Sequence, residues 1–475
     1  MAADTRGNGE DPDRGAFTSG FDEERDPSGE PRPGYAATLQ ALAGADLGAL
    51  CRAVAERLER RGVSFGEEPF VVDPVPRLIE GAEWDALADG LAQRARALNC
   101  FLRDAYGERR IVAAGVVDVA GIERAEGYES DVLGRLPARG APAAIIGFDV
   151  VRDTNGEFLV LEDNLRTPSG YAYALAARAA LLDTLPAGIP PPRPLEAVTT
   201  QLLRGAVRAA APQARADPCV VVLSDGADNA AHYEHATAAR MLGARLVTLA
   251  DLERDGDHLR VRVPDGSSDR VDVVYRRTND DRIRSDDGEL TPVAALLLEP
   301  WLSGAVGLVN AFGNGLGDDK LAHGRVEDFV RFYLGEEPKV RSVPTLSLRT
   351  PRECDDAIAR LRELVVKPRY GQGGAGVVIG AHADSADLER LAGELREHPA
   401  DFIAQPIIPL SCHPTVIDGE LQPRHVDLRP FAFCGDNGAA ALIPGGLTRV
   451  ALQAGTLVVN SSQNGGGKDT WVFDP

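Results

Sequence analysis

The sequence predicts an α+β protein with one α/β region, and three observations support this fold class. Residues 195–310 alternate between strand and helix patterns, starting with the apolar strand Val220–Leu223. Residues 145–164 form two apolar runs around Asn155-Gly156, the typical pattern of a β-hairpin. Several runs after residue 364 alternate apolar and polar side chains, as strands of a sheet do. We expect the strand ends of the α/β region to face a ligand.

Length and composition limit the class of protein. The 475 residues are enough for two to four domains, and 44% hydrophobic and 26% charged residues are ordinary for a globular protein. A net charge of −21 argues against partners such as nucleic acid or an anionic membrane. Six cysteines without a CxxC pair favour a reducing cytoplasm and give no zinc signal. Because the N-terminus is polar and acidic, we expect no signal peptide, and no apolar run approaches membrane-spanning length.

Composition and periodicity divide the chain into five regions. Polar residues dominate the start, which we expect to be disordered or loosely docked. Apolar residues at three- and four-residue steps from Trp84 to Tyr106 predict a helix, and another runs from Leu47 to about Arg61 and ends at Gly62. The regions are a tail (1–33), a helical region (34–140), a hairpin with the following helix (141–194), the α/β region (195–310) and a C-terminal region (311–475).

The hairpin predicts a metal site. Counting outward from a two-residue Asn155-Gly156 turn pairs Asp149 with Glu162, and Asn164 points to the same face. Two carboxylates and an amide oxygen suit Mg²⁺ bound together with substrate phosphates. The alternative is a solvated hairpin face with three ordinary polar residues.

A candidate substrate region follows the hairpin. Thr167-Pro-Ser169-Gly170 precedes the predicted helix 171–182, so we expect Ser169 to cap a helix N-terminus that attracts anions. At strand ends of the α/β region, the weaker candidates for substrate contact are Asn229, Glu234, Arg276 and Arg277. Each of these four is singly more often a surface or capping residue.

The C-terminal region supplies basic groups in an acidic chain. Lys320 begins a helical stretch, and Lys367 ends a strand before the glycine-rich loop 371–376. Backbone amides at Gly371, Gly373 and Gly374 could surround phosphate oxygens, whereas the plainer interpretation is a hairpin with a loose tip. Arg429 and Arg449 stand on two alternating strands, and Gln405 on a strand that could face an adenine edge. Single arginines on strands are usually surface charges, but two arginines with two lysines are better explained by a triphosphate.

Taken in order, these residues resemble a known family. Two lysines with a glycine-rich loop, a hinge strand, two arginine strands, an aspartate and Glu-x-Asn form the ATP-grasp order, and here Asp149 and Glu162-x-Asn164 come first. The chain is therefore similar to the glutathionylspermidine synthetase-like, circularly permuted ATP-grasp type 2 proteins, from about Phe21 to Phe473. The stretches that support the resemblance most specifically are 160–170, 275–277, 318–320, 424–430, 445–449 and 458–471.

The resemblance implies a fold and a set of residue roles. It implies a circularly permuted ATP-grasp fold with a pre-ATP-grasp α/β domain and an N-terminal helical region. Magnesium ions would be held by Asp149, Glu162 and Asn164, and the loop from Gly371 would be a lid over the phosphates. The implied ATP contacts are Lys320 and Lys367 at phosphates, Gln405 at adenine, and Arg429 and Arg449 near the transferring phosphoryl group. No arginine stands two residues before Asp149, where the glutathionylspermidine synthetases have one, so their substrate need not carry over to this chain.

The implied activity is that of an ATP- and Mg²⁺-dependent carboxylate–amine ligase. The carboxylate becomes an acyl phosphate, and an amine then forms an amide or peptide-like bond. Ser169 would hold the carboxylate, and Arg166 would share that task or form a salt bridge. Partners would be small-molecule or peptide acids and amines, and a homo-oligomer or partner protein stays open. Two alternatives are a catalytically silent nucleotide-binding subunit of a partner complex and a small-molecule kinase.

Overall fold

The structure is a computed structural model that describes residues 20–212, 217–279, 281–371, 376–435, 438–453 and 466–474. Its helices are α1 (Tyr35–Leu42), α2 (Leu47–Arg60), α3 (Gly81–Ala105), α4 (Arg110–Ala113), α5 (Val119–Glu123), α6 (Tyr171–Leu182), α7 (Glu196–Ala210), α8 (His232–Leu242), α9 (Pro292–Leu302), α10 (Lys320–His323), α11 (Val326–Phe329), α12 (Pro351–Ile358) and α13 (Ser385–Glu397). In the described ranges, no helix is both long and apolar enough to cross a membrane.

The strands of the described residues fall into five sheets. They are β1 (Ser64–Phe65), β2 (Glu68–Pro69), β3 (Arg77–Glu80), β4 (Ile145–Arg152), β5 (Phe158–Asn164), β6 (Val220–Ser224), β7 (Arg245–Val247), β8 (Leu252–Asp255), β9 (His258–Arg262), β10 (Ser268–Val271), β11 (Val273–Arg277), β12 (Gly307–Val309), β13 (Arg341–Ser342), β14 (Leu346–Ser347), β15 (Leu364–Pro368), β16 (Val378–Ile379), β17 (Phe402–Pro406), β18 (Cys412–Ile417), β19 (Glu420–Arg429), β20 (Phe431–Cys434), β21 (Ala440–Leu442), β22 (Gly445–Val450) and β23 (Gly466–Phe473).

A large mixed sheet joins distant parts of the chain. Its strand order is β13-β5-β4-β19-β22-β23-β3, while β18 pairs with β19, and β20 pairs with β4 and β21. The β4–β5 hairpin therefore lies beside strands that follow it by more than 250 residues. A site whose residues occur in permuted order along the chain requires such contact between an early hairpin and late strands.

Two four-stranded sheets accompany the large sheet. The sheet β12-β11-β6-β7 is parallel throughout, as expected for an α/β region in 195–310. The sheet β14-β17-β15-β16 is antiparallel and contains Lys367 and Gln405. A three-stranded antiparallel meander, β10-β9-β8, lies in the same part of the chain as the parallel sheet.

The predicted N-terminal helices form and pack as expected. Along α3 the apolar stripe from Trp84 to Leu102 is buried, because side chains three and four residues apart share one face. The second helix ends at Arg60, and Gly62 follows with a φ of 65° in the left-handed region, where glycine has no Cβ penalty.

The hairpin tip differs from the predicted two-residue turn. The backbone N–H of Asp153 donates to the carbonyl of Glu157 at 3.0 Å, so three residues separate this closing pair. The commonest two-residue hairpin turn needs a positive φ at both Asn155 and Gly156, but only Gly156 has one, at 84°. The turn prediction was wrong by one residue.

A β-bulge compensates for the longer turn. The register shifts between Asp149 and Val150, so that Val150 faces Val160 while Asp149 faces Glu162. The predicted Asp149–Glu162 pair is therefore confirmed, but the turn and the bulge produce it together. Asn164 lies two residues further on, opposite Gly147, and points to the same face as Glu162.

Residues 20–33 are docked more firmly than the predicted loose tail. Glu23 is 3% exposed, and its carboxylate accepts a hydrogen bond from the Arg77 Nε at 2.6 Å. The Ser411 hydroxyl also donates to it, and Arg152 lies 3.5 Å away. Burial would raise the pKa of Glu23, but the two arginines outweigh burial and lower it to about 2. A buried ion pair thus attaches this segment to the large sheet.

We predict that Glu23→Ala lowers the free energy of unfolding by about 3–5 kcal/mol, because it leaves Arg77 buried without its partner. Glu30→Ala removes an exposed carboxylate of the same segment and should change stability by less than about 0.5 kcal/mol. Urea unfolding measures both variants. Equal effects would show that the buried pair does not hold the segment.

The same pair predicts a pH dependence. The pKa of Glu23 falls from its ordinary 4.5 to about 2 on folding, so its stabilising contribution is complete above about pH 4.5. As the pH falls towards 2, that contribution is lost, and the stability advantage of the wild type over Glu23→Gln should shrink. An advantage that grows on acidification would contradict the ion pair.

Candidate functional site

A cavity of about 730 Å³ brings most of the predicted site residues together, and its size is typical of a small-molecule site. Its walls come from the large sheet, the antiparallel sheet and loops of the parallel sheet. The predicted residues that line it are Asp149, Glu162, Asn164, Arg166, Ser169, Asn229, Arg277, Lys320, Lys367, Gly371, Gln405, Arg429 and Arg449. Gly373 and Gly374 lie outside the described residues, and Glu234 and Arg276 are not among the residues that line the cavity.

The three proposed metal ligands converge on one patch of the cavity wall. Asp149 and Glu162 are cross-strand partners, and the Asn164 amide nitrogen lies 3.4 Å from Asp149 Oδ1. Among the described residues, no cluster of three or more His, Cys, Asp or Glu side chains forms a metal site by itself. Magnesium bound through nucleotide phosphates needs only one or two carboxylates, so the donor set fits that use.

Two arginines meet at the Asp149 carboxylate. Arg429 donates to both of its oxygens at 2.8 and 3.0 Å, and Arg449 donates to Oδ2 at 2.7 Å. Burial would raise the pKa of Asp149, but the two guanidinium groups hold it below its usual value. The site thus contains an ionised carboxylate with two adjacent cations.

Asp427 is a residue that the sequence interpretation missed. It is fully buried and accepts hydrogen bonds from the Arg449 Nε at 3.0 and 3.1 Å. Burial raises its pKa. Alternation along β19 places it on the same face as Arg429, and it stands opposite Arg449 on β22. The same period-two pattern that selected Arg429 could have found it.

Two lysines line the cavity, and Lys367, on the antiparallel sheet, lies beside a proposed metal ligand. Lys367 is buried, with its Nζ 3.5 Å from Glu162 Oε1, and burial is the main cause that lowers its pKa. Strand β15, which carries Lys367, pairs antiparallel with β16, which follows the glycine-rich loop. Gly371 has a φ of 119°, which favours glycine, at the start of the loop. Lys320 begins α10 and lines the same cavity.

A family model decides the relationship. The model described as circularly permuted ATP-grasp type 2 matches residues 76–451. The chain belongs to the circularly permuted ATP-grasp type 2 family. The match spans the β4–β5 hairpin, the antiparallel sheet and both arginine strands, which are the parts that form the cavity.

Individual relatives of this ATP-grasp protein span most of its length. An uncharacterized protein of Mycobacterium tuberculosis is 40% identical over 97% of this chain and 85% of its own length. A Frankia alni protein, named as a candidate glutamate–cysteine ligase, is 41% identical over 96% of this chain but only 54% of its own length. A solved glutathione synthetase-like effector from Globodera pallida shares 12% identity with a TM-score of 0.57, covering 90% of this chain and 98% of that one. The last similarity concerns the fold alone.

Gln405 lies in an apolar part of this ATP-grasp cavity with one unused acceptor. Its Nε2 donates to the Thr345 hydroxyl at 3.0 Å, and that hydroxyl donates to the carbonyl of Val343 at 3.2 Å. This chain of donors orients the amide, and among the described residues its buried Oε1 has no hydrogen-bond partner. Val365 and Ile379 also line this part of the cavity, so it forms an apolar slot with one acceptor.

The N-terminus of α6 differs from the prediction. Gly170, not Ser169, is the N-cap residue, and the cap has no side-chain hydrogen bond. Instead, Glu234 accepts from the backbone N–H groups of Gly170 at 2.8 Å and Ala172 at 3.0 Å. The helix end expected to attract a substrate anion is therefore occupied by a carboxylate of the protein itself.

The arginines proposed as substrate contacts have partners in the protein. Arg277 donates to Glu234 at 2.9 Å and to the carbonyl of Pro168 at 2.7 Å. Arg166 forms a salt bridge with Asp318 at 2.9 Å, which is the alternative that the sequence left open. Arg276 is buried and donates to backbone carbonyls. Glu234 and Arg276 are both buried and are not among the residues that line the cavity, and their contact with substrate stays a prediction.

His323 is a second residue that the sequence interpretation missed. Its Nδ1 lies 2.7 Å from Asp163 Oδ2, and Arg94 donates to both oxygens of Asp163 at 2.6 Å. Burial would raise the pKa of Asp163, but Arg94 holds it well below its usual range, so the carboxylate accepts from Nδ1. The buried Nε2 of His323 has no partner among the described residues and belongs to a side chain that lines the cavity. No short motif links these three residues.

We predict that Lys367→Met raises the dissociation constant of a non-hydrolysable ATP analogue by about 10-fold or more, because a charged hydrogen bond is worth roughly 1.5–3 kcal/mol. Lys339→Met is the matched control, since Lys339 is exposed and paired with Asp89. Isothermal titration calorimetry measures both. Unchanged affinity in Lys367→Met would remove Lys367 from the nucleotide site.

Proposed function

We propose that this protein is an ATP- and Mg²⁺-dependent carboxylate–amine ligase that forms an amide or peptide-like bond and releases ADP and phosphate. The observation that supports it most is one cavity in which Asp149, Glu162 and Asn164 face Lys367 and the two arginine strands. Family membership supports the nucleotide, and the oxygen donors support the metal.

The nucleotide would span two parts of the cavity. An adenine ring fits the apolar slot, where its exocyclic amino group can donate to Gln405 Oε1. The triphosphate would then extend over Lys367 and Lys320 towards Arg429 and Arg449. Residues from Gly371 onward would cover the phosphates, because glycine amides can approach them closely.

The chemistry would proceed in two displacements. A carboxylate oxygen of the acid attacks the γ-phosphorus, the bond to the β–γ bridging oxygen breaks, and ADP leaves. The amine nitrogen then attacks the acyl carbon, the carbon–oxygen bond to phosphate breaks, and the nitrogen loses a proton to solvent or to the departing phosphate. Arg429, Arg449 and Lys367 would stabilise the charge that spreads over the phosphoryl oxygens. When bound, Mg²⁺ would neutralise phosphate charge, held by Asp149, Glu162 and Asn164.

The name of one relative agrees with this reaction class, because the Frankia alni protein is named as a candidate glutamate–cysteine ligase. This chain corresponds to about half of the Frankia protein, so that name describes more than the shared part. The proposal therefore covers the class of reaction and not its substrates.

All six cysteines are free, which supports a cytoplasmic location.

Hydroxylamine trapping tests the proposal against its two alternatives. A ligase incubated with Mg-ATP, a carboxylic acid and hydroxylamine yields a hydroxamate and ADP. A small-molecule kinase yields a stable phosphate ester instead, and a silent subunit yields neither product. Screening acids singly, with hydroxylamine in place of the unknown amine, tests the first displacement alone.

We predict that Glu162→Gln lowers ADP formation by at least about 100-fold while the protein stays folded, because a lost metal ligand costs several kcal/mol of transition-state stabilisation. The matched control is Glu157→Gln, which changes an exposed carboxylate at the tip of the same hairpin. Circular dichroism checks folding, and a coupled assay measures ADP. Wild-type turnover in Glu162→Gln would refute the metal assignment.

A further inference from the structure

We propose that the acid substrate carries an uncharged apolar side chain, aryl or branched alkyl, which binds in an aromatic end of the cavity. The aromatic end consists of Phe65, Phe70, Tyr173 and Leu447, all of which line the cavity. This inference rests on the proposed function, because it assigns the substrate class of the same reaction.

The aromatic end is an apolar wall of side chains that pack against one another. The ring centroids of Phe70 and Tyr173 are 4.7 Å apart, and those of Phe65 and Tyr173 are 5.9 Å apart. The Tyr173 hydroxyl donates to the carbonyl of Ser64 at 3.1 Å, so its polar group is already used. What these side chains offer to a ligand is apolar surface.

The register of the large sheet places this wall beside the reacting groups. Leu447 stands opposite Arg429, and two residues later on the same face of β22 is Arg449. Arg449 in turn stands opposite Gly467 on β23. A Cβ at Gly467 would come within 3.0 Å of the Phe70 ring and 3.2 Å of Leu447. The aromatic end thus begins about one strand spacing, roughly 5 Å, from the arginine pair.

The other parts of the cavity have different chemistry. The slot at Gln405 suits the nucleotide base, and the carboxylates, lysines and arginines between the slot and the aromatic end suit phosphates and metal. A carboxylate that attacks the terminal phosphate comes from the side opposite ADP. That arrangement directs the remainder of the acid away from the slot and into the aromatic end.

The surroundings of the aromatic end disfavour a charged side chain. Burial, reinforced by nearby Arg277, lowers the pKa of His235 to about 2, so this histidine of the cavity wall is neutral. Arg277 itself is paired with Glu234. A second carboxylate, as in succinate or glutamate, would lie against Phe70 and lose hydration, while the nearby Arg277, Arg429 and Arg449 already pair with carboxylates of the protein.

The test compares acids that differ only in their side chain. With hydroxylamine as the nucleophile, we expect kcat/KM for phenylacetate and 4-methylpentanoate to exceed that for acetate by roughly 10- to 150-fold, as burial of one apolar side chain allows. Succinate should be the poorest of the four. Succinate or acetate as the best substrate would overturn the proposal.

Two variants test whether the aromatic end causes the selectivity among acids. Phe65→Ala, at a half-buried position, should reduce the ratio of phenylacetate to acetate kcat/KM by at least about 5-fold, consistent with the loss of part of an apolar pocket. Phe332→Ala removes an exposed phenylalanine that is not among the residues lining the cavity, and it should keep the ratio. An unchanged ratio in Phe65→Ala would place the selectivity elsewhere. Thermal unfolding verifies that both variants fold.

A binding measurement separates this inference from the proposed ligase activity. Saturation-transfer NMR with phenylacetate, Mg²⁺ and a non-hydrolysable ATP analogue requires no turnover. If no acid gives a hydroxamate but phenylacetate binds to the wild type and more weakly to Phe65→Ala, the ligase proposal fails and the apolar acid site stands. If succinate gives a hydroxamate and phenylacetate does not bind, the ligase proposal stands and the apolar acid site is overturned.

Discussion

The whole site depends on one shared carboxylate. Asp149 on β4 accepts hydrogen bonds from Arg429 on β19 and Arg449 on β22, which are 280 and 300 positions away in the chain. Without Asp149, the partly exposed Arg429 would lose its carboxylate partner, and the buried Arg449 would keep only Asp427. Asp149 would also bind the metal, and the two arginines would act in phosphoryl transfer, so stability and activity have a common origin at this point.

The permuted order could be recognised in the sequence because each half of the site has its own short sequence pattern. Asp149, Glu162 and Asn164 follow from hairpin periodicity, and Lys367 follows from its position before a glycine-rich loop. The register was nevertheless obtained from an incorrect turn, since a longer loop and a bulge at Asp149 offset each other. Local pattern thus predicts which residues share a face more reliably than it predicts the backbone path between them.

Residues without a local signal could not be predicted. Glu234 occupies the N-terminus of α6 through contacts over more than 60 positions, and no spacing rule connects the two. The Asp163–His323 pair is separated by 160 positions. Glu23 lies in a segment that has the composition of a polar tail. Its burial depends on the distant Arg77, so the neighbouring residues do not indicate it. Asp427 differs, because its alternation with Arg429 is visible in the sequence and the period-two pattern applies to both.

The most direct measurement of the shared metal and nucleotide site is a crystal structure with Mn²⁺ and a non-hydrolysable ATP analogue, in which the anomalous signal of Mn²⁺ locates the metal. We expect a metal peak within bonding distance of oxygens from Asp149 and Glu162, with the phosphates between Lys367 and Arg449. A metal or nucleotide bound outside this cavity would contradict a site built around Asp149.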